Sequence, residues 1–455
     1  MKIINPATGE TLRELREHSP AEITNAWSLA KNAQTAWNAK SLEDRIQVIR
    51  RYHDLLDRDA EVLARDLSLE VGKPLQEAKN EVQGARGRIR FFLEQSPQWL
   101  TPKPVRTDGN TREELSLDPL GVIANISAWN YPYHVGVNVY IPALLSGNAV
   151  LYKPSEFATL TGLHISRLLH EAGVPPDVFI AIIGDRVAGE ALLDLPLDGY
   201  FFTGSYRTGK HIAERVASKL VPVGLELGGK DPLYVTDEID DLKKVAGAVA
   251  EGCFYNNGQS CCAVERVYVH EKIYDGFMTH FESEVRALKV GNPLENGVQQ
   301  GSLTRPAHLA FLEEQISDAV TKGARVLCGG NRIPGAGAYF EPTVLVDVNH
   351  SMRLMMEESF GPVIGIMKVR DDEEALRLMQ DCEYGLTAAV YTRNESRGRS
   401  LLARIDTGTS YLNCCDRVSP YLPWAGRKHS GLGTTLSWLG ILSFVRPRGW
   451  HVRAP

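Results

Sequence analysis

Along the first hundred positions, apolar residues recur at the three-to-four-residue interval of a helix. Ile23, Ala26, Trp27, Ala30, Ala33 and Trp37 make one stripe, and Ile46, Ile49, Tyr52, Leu55 and Leu56 make a second. Residues 21–98 are therefore expected to be helical. At Thr101 the pattern breaks into prolines, an Asp108-Gly109-Asn110 turn and an alternating, charged segment, which predicts a hairpin projecting from the main body. Beyond it, short apolar runs at 121–127, 148–153, 178–184 and 199–203 alternate with helical periodicity at 133–145, 160–172 and 186–193. A second series follows, with strand candidates at 233–236, 264–270, 324–328, 362–369 and 386–392. Apolar strands alternating with helices predict parallel sheets covered on both faces. The fold class expected is α/β, with two doubly wound domains meeting near residue 229. The aromatic and β-branched stretch from Ser443 to the end reads as an added edge strand.

Composition narrows this picture. The chain has 455 residues, 43% hydrophobic and 23% charged, with a formal charge of −6. These values suit a globular protein and argue against bulk binding to nucleic acid or an anionic membrane. No apolar run approaches the roughly 20 residues that span a bilayer, and the first residues lack a hydrophobic signal core, so a cytoplasmic protein is expected. Seven cysteines, odd in number and thinly spread, do not read as a disulfide framework. No Cys or His pair has metal-ligand spacing, and no metal is expected.

The candidate chemistry centres on Asn256-Asn257-Gly258-Gln259-Ser260-Cys261-Cys262-Ala263. This polar, glycine-containing loop lies between a helical pattern at 239–254 and the run at 264–270. A thiol there is held by rigid elements on both sides, which makes Cys261 a candidate nucleophile. Glu226, flanked by Leu225 and Leu227, is an acid in an apolar setting, hence either partnered or functional. Residues 201–211 run from strand into helix through Gly204 and Ser205, a possible phosphate seat. The spacing there approaches a P-loop, but His211 stands where Ser or Thr would hold magnesium. Lys153-Pro154-Ser155-Glu156 ends another strand and could bracket a ribose.

Taken together these pieces resemble the NAD(P)-dependent aldehyde dehydrogenase family over nearly the whole chain. The matching motifs fall in that family's order: Asn5-Pro6-Ala7-Thr8-Gly9-Glu10, Trp129-Asn130-Tyr131-Pro132, Lys153-Pro154-Ser155-Glu156, Phe202-Thr203-Gly204-Ser205, Leu225-Glu226-Leu227-Gly228-Gly229-Lys230, Gly258-Gln259-Ser260-Cys261, Glu358-Ser359-Phe360-Gly361-Pro362 and Pro423-Trp424-Ala425-Gly426-Arg427-Lys428-His429-Ser430-Gly431. The resemblance implies that Cys261 is the nucleophile, Glu226 the general base and Asn130 an oxyanion donor. It places the cofactor, expected to be NAD rather than NADP, on Ile126, Ser127, Trp129, Lys153, Ser155, Glu156, Thr203, Gly204, Ser205, Gly209, Leu227, Gly228, Glu358 and Phe360. Tyr131, Ser260, Cys262 and Trp424 would border the pocket of a small-molecule aldehyde. It further implies a Rossmann-like cofactor domain (1–101 and 119–228), a catalytic domain (229–439), and a small β oligomerisation hairpin (102–118 and 440–455) building a homodimer or homotetramer.

Three positions depart from the family's usual pattern: Ala128 before the Trp-Asn pair, Trp424-Ala425 late in the chain, and Val139 where many members carry a lysine. The expected reaction is oxidation of an aldehyde to the carboxylic acid with hydrolysis of a thioester. The alternatives are a coenzyme A-acylating enzyme, against which Glu226 argues, a P-loop phosphotransferase, and a non-catalytic protein of the same fold.

Overall fold

The computed structural model describes residues 1–454, so the last residue of the 440–455 segment lies outside the described residues. Four helices open the chain, Pro20–Asn38, Leu42–Arg58, Ala60–Val71 and Leu75–Leu100. The first two begin on capping boxes, Ser19 with Glu22 and Ser41 with Asp44, which satisfy backbone N–H groups that a helix start otherwise leaves unpaired. Their apolar stripes bury Trp37, Ile49, Tyr52 and Leu56 against the first sheet and its helices.

That first sheet has six strands, in the order Gly431–Leu432, Val223–Glu226, Gly199–Thr203, Val122–Ile126, Ala149–Lys153 and Phe179–Ala181. All neighbours are parallel except the first pair. The Gly431–Leu432 strand returns to this sheet from far along the chain and sets Gly431 beside Glu226. The second sheet has seven strands, in the order Arg325–Cys328, Thr343–Val346, Val363–Val369, Val264–His270, Asp231–Val235, Thr387–Tyr391 and Thr409–Leu412. It is parallel apart from the Arg325–Cys328 edge. The doubly wound α/β class read from the sequence is the class observed.

Val264–His270 alternates in sequence but is buried at every position, because a central parallel strand has a helix layer on each face. Its polar residues are buried with partners. Lys230 Nζ donates to Glu265 at 2.6 Å, and Arg266 donates to the carbonyls of Lys230, Leu378, Asp381 and Met379. The hairpin is present as Lys103–Asp108 and Thr111–Pro119, and Val445–Arg453 joins it as a third antiparallel strand. No helix among the described residues is long and apolar enough to cross a membrane.

Candidate active site

The loop before Cys261 has a backbone that few sequences tolerate. Asn256 and Asn257 both adopt left-handed angles (φ 55° and 57°), a region that Asn enters more readily than other non-glycine residues. Gly258 follows at φ 69°, where an added Cβ would lie 2.3 Å from the Gly361 carbonyl oxygen. Side chains pin this path. Asn257 Oδ1 accepts from Gly301 N at 2.7 Å, its Nδ2 donates to the Ser302 carbonyl at 2.9 Å, and Gln259 Oε1 accepts from Thr304 N at 3.0 Å. Asn256 N donates to Glu77 at 2.9 Å.

The same loop meets the segment that follows the Val122–Ile126 strand. Asn130 Nδ2 donates to the Gln259 carbonyl at 3.1 Å, two residues before Cys261. The Asn130 carbonyl accepts from Lys73 Nζ at 2.7 Å and from Asn256 Nδ2 at 3.2 Å. Lys73 is wholly buried, pairs with Glu81 and lies 4.1 Å from the centre of the Tyr131 ring. Glu81 in turn accepts from Tyr133 N at 2.8 Å. Asn130 is therefore fixed at both its amide and its backbone.

The two cysteines differ. Cys261 is half-buried, whereas Cys262 is buried and donates to Asp416 Oδ1 at 2.9 Å. Contact with Cys261, then burial and the Asp416 carboxylate, push the Cys262 thiol well up. Ser260 is also buried and donates to Asp416 at 3.4 Å. Of the expected pocket residues, Tyr131 is half-buried and stacks on His134 with ring centres 5.8 Å apart. Trp424 is packed into the first core.

Glu226 ends its strand beside the crossing Gly431–Leu432 segment. One carboxylate oxygen accepts the Thr435 hydroxyl hydrogen. Burial raises its pKa, and Thr435, Arg88 and Thr203 work against that rise.

The expected cofactor residues gather at the carboxyl ends of the first sheet's strands, the edge where open α/β sheets bind ligands. Ile126 and Ser127 end one strand, Lys153 the next, Thr203 another, and Glu226 leads into Leu227 and Gly228. The Lys153 ammonium is buried, and its hydrogen-bond acceptor is the Pro154 carbonyl at 3.3 Å; burial lowers its pKa while Glu156 opposes the shift. Ser155 donates to Glu156 at 3.2 Å. Ser205 caps the Tyr206–Val216 helix by accepting from Thr208 N at 3.4 Å, so its side chain is engaged while the first N–H groups of the helix stay free. A Cβ on Gly209 would meet Leu227 at 2.4 Å, and one on Gly228 would meet Glu358 at 2.3 Å. Glu358 accepts from Gly229 N at 3.1 Å, and burial beside Glu265 lifts its pKa to about 8. Phe360, at φ 50°, sets its ring edge-on to Trp129 at 5.3 Å. The Glu265 carboxylate holds that turn by accepting from Ser359 N at 2.7 Å and Phe360 N at 3.0 Å.

The pattern defining the aldehyde dehydrogenase family matches residues 1–448. The chain belongs to the aldehyde dehydrogenase family. It is 35% identical over 446 residues to a succinate-semialdehyde dehydrogenase [NADP(+)] of Deinococcus radiodurans, covering 98% of this chain and 93% of that enzyme. It is 36% identical to a betaine aldehyde dehydrogenase of Cereibacter sphaeroides, with 95% and 89% covered. The crystal structure of an indole-3-acetaldehyde dehydrogenase complexed with NAD+ superposes with a TM-score of 0.96 at 30% identity, covering 100% of this chain and 93% of that one. The protein is an NAD(P)-dependent oxidoreductase that converts an aldehyde to the carboxylic acid.

Several groups around this site escape the motif reading. Thr435, Asp416, Arg88 and the Lys73–Glu81 pair act on residues far from them in sequence. Glu265 left a trace, as an acid inside an otherwise strand-like apolar run.

Proposed function

We propose that Cys261 is the nucleophile, Asn130 the oxyanion donor and Glu226 the base of this dehydrogenase. The observation carrying this assignment is the hydrogen bond that ties the Asn130 amide to the cysteine loop at Gln259, across 129 residues of chain. The Cys261 thiolate adds to the aldehyde carbon, and the resulting tetrahedral oxyanion takes hydrogen bonds from the Asn130 amide and the Cys261 N–H. The bound nicotinamide supplies the acceptor for the hydride this carbon gives up. What remains on Cys261 is a thioester. Glu226 takes a proton from water, the hydroxide attacks, and the acid leaves as the thiolate is restored.

The cradle fits a dinucleotide. Among the described residues Lys153 is a buried cation without a carboxylate bonded to it, Gly209 and Gly228 let the Leu227 and Glu358 side chains lie close against the backbone, and the first N–H groups of the Tyr206–Val216 helix stay free. Lys153 and Glu156 would hold the adenosine ribose, and Glu358 and Phe360 the nicotinamide end. The Glu156 carboxylate opposes a 2′-phosphate and supports NAD over NADP. A cytoplasmic homodimer or homotetramer, joined through the three-stranded sheet, completes the proposal.

Rapid-mixing kinetics test it. Cys261→Ala is expected to abolish nucleotide reduction, and Glu226→Gln to give one burst of NADH followed by turnover slower by at least about a hundredfold. A Glu226→Gln enzyme without the burst removes the deacylation role. Wild type with a higher kcat/KM for NADP than for NAD overturns the cofactor preference.

A further inference from the structure

Arg88 lies on the Leu75–Leu100 helix and is only 8% exposed. Its Nη1 donates at 3.0 Å to the His134 carbonyl and at 3.0 Å to Asn138 Oδ1. Those two bonds use both hydrogens of that nitrogen. Nε and Nη2 have no protein acceptor among the described residues, and neither is sealed away from solvent. Together they form one edge of the guanidinium, the planar fork that matches a carboxylate.

Among the described residues no carboxylate touches this cation. The negative groups it feels are Glu226 first, then Cys262, Glu81 and Cys261. Glu81 is already paired with Lys73, and Glu226 takes its hydrogen bond from Thr435. Asp416, the carboxylate beside the thiols, already accepts from Cys262 and Ser260. A buried charge without a counter-ion is costly. Here it stands within electrostatic reach of the proposed nucleophile and base, with two nitrogens held open.

We propose that Arg88 binds a carboxylate carried by the substrate, so that the aldehyde belongs to the short semialdehydes of dicarboxylic acids. The proposal rests on Cys261 being the nucleophile. The carboxylate takes the open Nε–Nη2 edge in two parallel hydrogen bonds, and the aldehyde end extends toward Cys261. The bonds to His134 and Asn138 fix the plane of the fork. An aldehyde with a fixed positive charge meets repulsion from the same group.

The test compares kcat/KM for succinic and glutaric semialdehydes with that for butanal and pentanal, in wild type, Arg88→Met and Arg88→Lys. The ratio of carboxylated to uncharged substrate is expected to fall roughly ten- to hundredfold in Arg88→Met, the scale of a lost charge-assisted pair. Most of the change should appear in KM, and Arg88→Lys should recover part of it. Equal losses on both classes assign Arg88 to helix packing or to the field at Cys261 and overturn the proposal, as does an unchanged ratio. Calorimetric titration with succinate reads the same contact without turnover. Binding by wild type that weakens at least about tenfold in Arg88→Met, and by less in Arg88→Lys, is expected. If Arg88→Met does not fold, Arg88→Lys and the succinate titration decide the question. A wild type that oxidises uncharged aldehydes, gains nothing from a distal carboxylate and does not bind succinate removes the role of Arg88 and leaves Cys261 standing. Succinate held by Arg88 in a protein that oxidises no aldehyde does the reverse.

Discussion

At the scale of single residues, the site depends on how Glu226 is held. The base proposed here works ionised, and burial raises the pKa of Glu226 while the Thr435 hydroxyl lowers it. Thr435→Val removes a donor to the charged form, so the pKa rises further. The ionised fraction at a given pH then falls, and the ascending limb of the deacylation rate moves to higher pH. The expected shift is about one pH unit, in line with a hydrogen bond to a charged group. Measuring deacylation against pH in the two proteins checks this, and a limb that stays in place or moves to lower pH contradicts it. Thr435 also shows where the sequence stops being legible. Cys261, Glu226 and Asn130 stand inside local motifs whose neighbours can be read from the chain. The partner of Glu226 lies 209 residues away, brought in by a two-residue strand. Arg88 was equally unreadable, since an arginine on an amphipathic helix has the pattern of a solvated face. The packing of that helix against Pro132–Leu145, where Arg88 bonds to His134 and Asn138, takes it out of solvent.

At the scale of elements, most strands and helices followed from apolar periodicity, and the exceptions share a cause. Thr343–Val346 and Thr409–Leu412 are four residues each, too short for alternation to separate strand from loop. Helix starts were less legible than helix bodies. The Thr159–Ala172 helix has Ala158 at its N-cap and no side-chain cap of its own. Glu70, from Ala60–Val71, supplies it instead, accepting from Leu160 N at 2.6 Å, Thr161 N at 2.9 Å and the Thr161 hydroxyl at 2.9 Å. Glu70 is 2% exposed, so its loss leaves buried N–H groups without a partner. Glu70→Ala is expected to cost about 1–3 kcal/mol. Hydrogen exchange should quicken at Leu160 and Thr161, and Glu70→Gln, which keeps an acceptor, should lose less. Exchange unchanged in Glu70→Ala would show that other groups cap this helix.

At the scale of the whole molecule, the sheet formed by Lys103–Asp108, Thr111–Pro119 and Val445–Arg453 has no covering layer among the described residues. From Arg446 to Arg453 every residue is exposed, and the sheet shows Val105 at 66%, Trp450 at 45%, Leu115 at 39% and Val452 at 39% exposed. A strand of nine residues paired along its full length with Thr111–Pro119 is long and regular for one left in solvent. Apolar residues concentrated on such a sheet mark a surface that another protein covers, and closed symmetry makes a second copy the simplest occupant. Light scattering is expected to give at least twice the chain mass for wild type and the chain mass for a protein ending at Val445. The point variant Trp450→Asp should weaken assembly without removing the strand, with a midpoint concentration raised roughly tenfold or more. If both altered proteins keep the wild-type mass at dilution, the contact between copies lies elsewhere. A truncated monomer that keeps its burst of NADH would show that each chain builds its own Cys261 site.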